Sequence, residues 1–360
     1  MKYKAVLIGC GRISSKHIEA FMDNQQTVEL VAVCDIIKER AEEEAFRYGT
    51  KVLIYADHLK MLNDIKPDIV SIATESGHHA GLAIDALRAG AHIIVEKPLA
   101  LSSVDADRII ALARKTGKKV TVCFQNRFNP PIRRTYQAVK DGRFGKILNG
   151  MVQVRWNRND TYYKEAAWRG TWEHDGGTLM NQCIHGIDLL QWMMGGDVVR
   201  VHGVTRRFLK PIEAEDFGGA ILEFGSGAVG MVEGSANVFP KNLNETLSLF
   251  GEKGTVVVGG LAVNKIETWR FSDSAGVGDT EDKVVDPAAV DPPSVYGFGH
   301  SALFADFVEA VTNGRDPLVS GEEGKKALDI ILAIYKSMKE GGPVDMPVAF
   351  DASEMKGVFK

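Results

Sequence analysis

At 360 residues, 45% hydrophobic and 25% charged, the chain is long enough for two cores and ordinary for globular material. Its 43 Lys and Arg against 47 Asp and Glu give a net charge of −4 without a basic cluster, which argues against nucleic acid or an anionic membrane as partner. Four cysteines (Cys10, Cys34, Cys123, Cys183) form no CxxC pair, no run reaches the ~20 apolar residues of a membrane span, and the run after Lys4 is too short for a signal peptide, so a cytoplasmic protein with free thiols is expected.

Residues 5–8 predict a buried strand. It breaks into Gly9-Cys10-Gly11-Arg12-Ile13-Ser14, a helix follows to about residue 24, and a second apolar run over 28–34 stops on Asp35. Strand, glycine turn, helix, strand and terminal acid make one βαβ unit with a dinucleotide fingerprint. Gly9 permits the tight turn and Gly11 lets the backbone approach a pyrophosphate, whose charge the helix start favours. Ser14 is small enough to replace the third glycine. A carboxylate at Asp35 accepts from both ribose hydroxyls and repels a 2′-phosphate, which selects NAD over NADP.

The alternation continues: helices over 38–48 (ended by Gly49), 59–65, 77–88 and 102–113, and strands over 69–73, 92–95 and 119–124. That rhythm requires a parallel sheet covered on both faces. It fails near Gln125. Beyond it, alternating strands are predicted over 148–156, 198–208, 217–224, 227–236, 245–251 and 254–258, with helices over 132–140, 180–194, 300–313 and 324–339. The stretch 272–293 reads as a polar loop or weak strand pair. The expectation is α/β: an N-terminal Rossmann domain, 1–124, then an α+β domain, 125–360, with an open, mainly antiparallel sheet. A bare sheet face calls for a partner subunit, so a homo-oligomer is expected, dimer or tetramer.

Three groups carry candidate chemistry. Lys97, in Glu96-Lys97-Pro98, ends a parallel strand, where ligands of open α/β sheets bind, and it can hydrogen-bond a reacting hydroxyl or shuttle its proton. Asn181, His185 and Asp188, spaced by four and three, share one predicted helix stripe: amide for a substrate hydroxyl, imidazole as acid/base, carboxylate to orient the ring. A metal reading of His174, Asp175, His185 and Asp188 lacks ligand spacing, so no metal is expected. Arg169, among Tyr162, Tyr163, Trp168 and Trp172, suits an anionic group, as does Arg127 in Gln125-Asn126-Arg127; His78 and His79 open a helix near the cofactor.

GCGRIS, Asp35, EKP and the GG-x-x-x-N-x-x-x-H-x-x-D helix, in this order, resemble the glucose-fructose oxidoreductase/inositol dehydrogenase (Gfo/Idh/MocA) family over essentially the whole chain. The resemblance implies hydride transfer between a nicotinamide and a sugar or cyclitol carbon. It places the family's lysine on Lys97 and its histidine on His185, with Asn181 where many members carry aspartate. QNRFNP (125–130), GRFGKI (142–147), RWNRNDTYY (155–163), WRGTWEHDGG (168–177), EAED (213–216), PKNL (240–243) and SVYGFGH (294–300) look like the bacterial UDP-N-acetyl-2-amino-2-deoxyglucuronate 3-dehydrogenases. That narrower likeness implies NAD, a 3-keto product and a homotetramer. It implies a cofactor site of Gly9, Gly11, Arg12, Ile13, Asp35, Thr74, Ser76, His79, Glu96, Lys97, Gln125, Trp168 and Arg169. The implied substrate site is Lys97, Arg127, Tyr163, Arg169, Asn181, His185, Lys241 and Asn242. The rival readings are an inositol or monosaccharide dehydrogenase, an NADP-linked reductase and a non-catalytic cofactor-binding sensor.

Overall fold

A computed structural model of the chain describes residues 2–49, 51–272, 279–281, 297 and 299–359. Its contacts divide it into two compact units, Met1–Gln125 with Gly299–Lys325, and Asn126–Phe298 with Lys326–Lys360.

The first unit contains β1 (Tyr3–Ile8), α1 (Ser14–Asp23), β2 (Val28–Cys34), α2 (Lys38–Tyr48), β3 (Leu53–Tyr55), α3 (His58–Ile65), β4 (Ile69–Ile72), α4 (His79–Arg88), β5 (His92–Val95), α5 (Ser103–Thr116) and β6 (Val120–Val122). All six strands are parallel, in the order β3-β2-β1-β4-β5-β6. The order reverses between β1 and β4, the switch point at which such sheets bind ligands beyond their carboxyl ends. The central strands are buried on both faces, which explains their unbroken apolar sequence. Local chemistry bounds the helices. Asp57 accepts from the Leu59 and Lys60 amides at the start of α3, Ser102 accepts from Asp105 at the start of α5, and Gly117 ends α5 in a left-handed conformation.

The expected boundary after residue 124 is incomplete. The helix α9 (His300–Asn313) and the first part of α10 (Gly321–Glu340) return to the first unit. Phe304 of α9 packs edge-on against His17 and Phe21 of α1, and Ser320 bridges Thr121 of β6. Sequence distance hides this return, because α9 buries its apolar face on a helix nearly 280 residues upstream.

The second unit contains α6 (Pro130–Lys140), β7 (Ile147–Arg155), α7 (Asp160–Lys164), α8 (Ile184–Met194), β8 (Val198–Arg206), β9 (Phe217–Phe224), β10 (Val229–Ser235), β11 (Asn244–Gly251), β12 (Gly254–Gly259), β13 (Lys265–Ser272), β14 (Asp279–Glu281), the end of α10 and β15 (Val344–Asp345). The nine strands run β14-β13-β12-β11-β7-β10-β9-β8-β15 and are antiparallel except for the β7–β10 pair. One face is covered by α8. Cβ atoms built on Gly150, Gly218 and Gly234 would lie 2.8, 2.5 and 2.5 Å from Met194 of α8 and from Leu179 and Cys183 of the turn that precedes it, so side chains there would push this segment off the sheet. Apart from β14, the predicted loop over 272–293 lies outside the described residues, as does most of the SVYGFGH string.

Candidate active site

In the first unit the glycine turn is built as a dinucleotide requires. Gly9 has φ +92°, and a Cβ on it would lie 2.7 Å from the Ala73 carbonyl and the Thr74 nitrogen, so only glycine fits. A Cβ on Gly11 would meet no atom of the described residues within 4 Å, which leaves its approach open. Arg12 and Ile13 follow at the head of α1. Ser14 is fully buried, its hydroxyl against the Gly11 carbonyl and 3.1 Å from Glu44 Oε1. Asp35 follows β2, and its carboxylate accepts from the Cys10 amide at 2.8 Å and the Ile37 amide at 2.8 Å, aligning it with the turn. Glycine cradle, open Gly11 and acid at the strand end fit a dinucleotide. Thr74 and Ser76 follow β4, and Gln125 follows β6, all beyond carboxyl ends of the sheet.

Lys97 is half-buried just after β5, and its bond to Pro98 is cis. The residues on either side of it turn inward. Glu96 is buried, with Oε1 3.0 Å from His17 Nε2 and 3.6 Å from His300 Nε2. Burial opposes ionisation of Glu96, but the two imidazoles outweigh it and hold its carboxyl well below the usual range. His79 is buried too, with Nδ1 2.7 Å from the Pro98 carbonyl oxygen and Nε2 3.0 Å from that of Thr74. The side chains of Glu96 and His79, both expected at the cofactor, make these bonds inside the unit, where they brace the loop carrying Lys97.

In the second unit Asn181 lies in a π turn, Leu179–Cys183, that leads into α8. Its amide nitrogen donates to Asp175, while its Oδ1 accepts from Gln182 Nε2 at 2.9 Å and Tyr162 Oη at 3.4 Å. Asp175 also accepts from the Gly170 amide at 2.7 Å. A Cβ on Gly177 would fall 1.8 Å from Glu215 Oε2, which explains the second glycine of the GG pair. Glu215 accepts from the Leu179 amide at 2.9 Å and the Tyr335 hydroxyl at 3.0 Å, and burial pushes its carboxyl up to about 8. His185, half-buried, opens α8.

The predicted stripe of Asn181, His185 and Asp188 does not survive. The wider π turn changes the angular step before His185, and Asp188 points into the core, where it takes Arg127 in two hydrogen bonds of 2.8 and 2.6 Å. Arg127 is fully buried, its guanidinium 4.7 Å from the Trp192 ring centroid. Arg127, expected at the substrate, thus has its charge paired with Asp188. Arg169 donates to Glu165 at 2.7 Å and to the Tyr162 carbonyl and stacks 4.1 Å over the Tyr162 ring, with Trp168 beside it. Tyr163 is buried, which pushes its phenol up. Asn242 accepts from the Asn157 amide at 2.9 Å, and Lys241 is exposed.

Sequence reasoning missed His17, His300, Gln182 and Glu215. A signal for His17 was present: Ser14, His17, Ile18 and Phe21 form the buried i, i+3, i+4, i+7 stripe of α1, and a histidine there needs a partner.

The profile described as "Oxidoreductase family, NAD-binding Rossmann fold" matches residues 3–124, and that described as "Oxidoreductase family, C-terminal alpha/beta domain" matches residues 136–346. The chain belongs to the Gfo/Idh/MocA oxidoreductase family. As a member it is an NAD-binding oxidoreductase, consistent with the glycine cradle and Asp35. The fold matches that of the WlbA dehydrogenase of Bordetella pertussis, solved with NADH and UDP-GlcNAcA, at TM-score 0.86 and 34% identity over 97% of this chain and 100% of that one. For the WlbA dehydrogenase of Chromobacterium violaceum, also with NADH and UDP-GlcNAcA, the values are 0.87 and 35% over 97% of both chains. Among curated family members, the D-apiose dehydrogenase of Paraburkholderia graminis is 28% identical over 96% of this chain and 90% of its own length.

Proposed function

We propose that this oxidoreductase oxidises the C3 hydroxyl of a UDP-linked N-acetylated amino-sugar uronate to a 3-keto sugar with NAD. The observation that carries the reading is the likeness, at 34–35% identity across nearly the whole chain, to two dehydrogenases solved with NADH and UDP-GlcNAcA, while the curated D-apiose enzyme stands at 28%.

Bound NAD supplies the hydride acceptor. The Gly9–Ile13 turn and Asp35 hold it, with Thr74, Ser76, Gln125, Trp168 and Arg169 as further contacts. Lys97 or His185 takes the hydroxyl proton, the two sharing it as coupled groups, and Lys97 with Asn181 stabilises the oxygen as charge develops. Asn181 suits this task because Asp175 and Gln182 fix its amide orientation. Arg169, Tyr163, Lys241 and Asn242 are the candidates for the sugar's anionic groups. Acid–base help of this kind is worth ~10²–10⁴-fold, so Lys97→Ala and His185→Ala should each lose at least about a hundredfold in kcat.

The deciding experiment follows NADH absorbance with UDP-GlcNAcA, UDP-GlcNAc, D-apiose and free inositols. Turnover with UDP-GlcNAcA far above the free sugars supports the reading; turnover confined to a free sugar or cyclitol replaces it with the monosaccharide-dehydrogenase alternative. NADP in place of NAD should fail, because Asp35 repels a 2′-phosphate.

A further inference from the structure

Behind Lys97 lies a buried group that the reaction scheme does not use. His17, Glu96 and His300 bring three ligand-type atoms within 4.8 Å of one another, all shielded from solvent. His17 Nε2 donates to Glu96 Oε1 at 3.0 Å, and in that tautomer its Nδ1 accepts from the Ser71 hydroxyl at 2.7 Å. Ser71 belongs to β4, His17 to α1, His300 to α9, and Glu96 stands at the end of β5. The carboxylate is thus hydrogen-bonded to α1 and through it to β4, with the imidazole of α9 3.6 Å away as a neighbouring charge partner. The Lys97 amide adds a contact of 3.2 Å to Glu96 Oε2, and Phe304 closes the group with an edge-on ring 5.5 Å from His17.

A buried anion is costly unless it is paired and hydrogen-bonded, and here it is met by a hydrogen bond from His17 and by the nearby imidazole of His300. A cluster of this quality one residue from the lysine restricts the backbone from which Lys97 projects. The same bonds leave no freedom for Glu96 to turn outward. We propose that Glu96, held by the His17–Ser71 hydrogen bonds and the Lys97 amide with the His300 imidazole close by, is a positioning residue that sets where the Lys97 ammonium stands against the reacting hydroxyl. This rests on the reading of Lys97 given above.

The test is a double-mutant cycle. Glu96→Gln keeps the shape and removes the charge. It should lower kcat by about 10–100-fold, the loss seen for the partners that orient metal ligands, which it resembles in acting through a neighbour. The KM for UDP-GlcNAcA (or for the free sugar that replaces it in the screen above) and the Kd for NADH should stay within about twofold. In a Lys97→Ala background, where the lysine is already gone, Glu96→Gln should cost less than about twofold further. Ser71→Ala, which deletes only the outermost bond, should repeat the pattern with a smaller loss and keeps the test alive if Glu96→Gln folds poorly. Equal losses in both backgrounds would overturn the positioning role alone and make the cluster merely structural. Stoichiometric zinc in the purified protein, absent from Glu96→Gln, would overturn it in favour of a metal site. A Lys97→Ala enzyme with wild-type turnover would overturn this inference together with the reading it rests on.

Discussion

Arg127 and Asp188 show how a residue that looks poised for substrate can be a piece of core. Two opposite charges, both fully buried, meet in a two-pronged geometry, and removing one partner strands the other in low dielectric. Arg127→Met should therefore lose about 3–5 kcal/mol in urea unfolding, and adding Asp188→Leu should recover much of it; equal stability for the single variant would mean that water reaches the pair. Glu245 presents the reverse case. It sits on β11 beneath Gly186, neither of its oxygens has a hydrogen-bond partner among the described residues, and burial pushes its carboxyl up to about 8. Unfolded, it would titrate near ~4.3. Between those values the native state keeps a proton that the unfolded chain has released, so its contribution is full below about pH 4 and lost as pH rises to 8. Glu245→Gln keeps the shape without the proton equilibrium. The stability of that variant relative to the parent should grow by a few kcal/mol from pH 5 to pH 8, as read by urea midpoints; a gap that does not change with pH rejects this account. The directions of Arg127, Glu96 and His79 were not legible in the sequence. A residue at the end of a strand or the head of a helix lies beside both core and cleft, and periodicity does not choose between them.

At the scale of elements, the π turn Leu179–Cys183 deserves a direct experiment, because it sets the angle between Asn181 and His185. Deleting Gln182 would turn this segment into regular α-helix and rotate Asn181 by about 100° relative to α8. The variant should fold, by circular dichroism, yet lose at least about a hundredfold in turnover; full activity would show that the π geometry is incidental. Long, strongly patterned elements were readable: β1, β2, α5, β7 and α8 lie within a few residues of where apolar spacing puts them. The misses have physical causes. The strand β3 is three residues long and lies at the sheet edge, with Leu53 and Ile54 exposed, so it carries no burial pattern. The strand β13 buries only Trp269 and Phe271, and Arg134 and Arg143 stack on that aromatic pair from the far side. The parallel β7–β10 pairing joins strands some 75 residues apart, a distance over which local patterning is silent.

At the scale of the whole molecule, the large sheet has one face under α8 and another that carries Val204, Ile221 and Val229 in the open, beside the ion pair between Arg155 and Glu233 at 2.7 Å. Their strand partners there are Gly219 for Val204, His202 and Met231 for Ile221, and Glu223 for Val229, so the exposed face mixes apolar and polar side chains, and a second copy covering it is a proposal. If the chain assembles through this face, the parent should exceed the mass of one chain in light scattering and Ile221→Glu should lower it; a parent already at the mass of one chain, or a mass that Ile221→Glu leaves unchanged, rejects this interface. The sequence carried this only as a hint, since it shows that a face alternates but not which side α8 occupies. The return of α9 to the first unit bears on how the protein is made. The six-stranded sheet is finished by a strand bridged to Ser320, and α1 is roofed by Phe304. A nascent chain that has left the ribosome only as far as Gln125 thus lacks the lid of its first core. The nucleotide half must wait, partly assembled and greasy, until some two hundred more residues have been translated, which makes it the part of the newborn chain most in need of a chaperone.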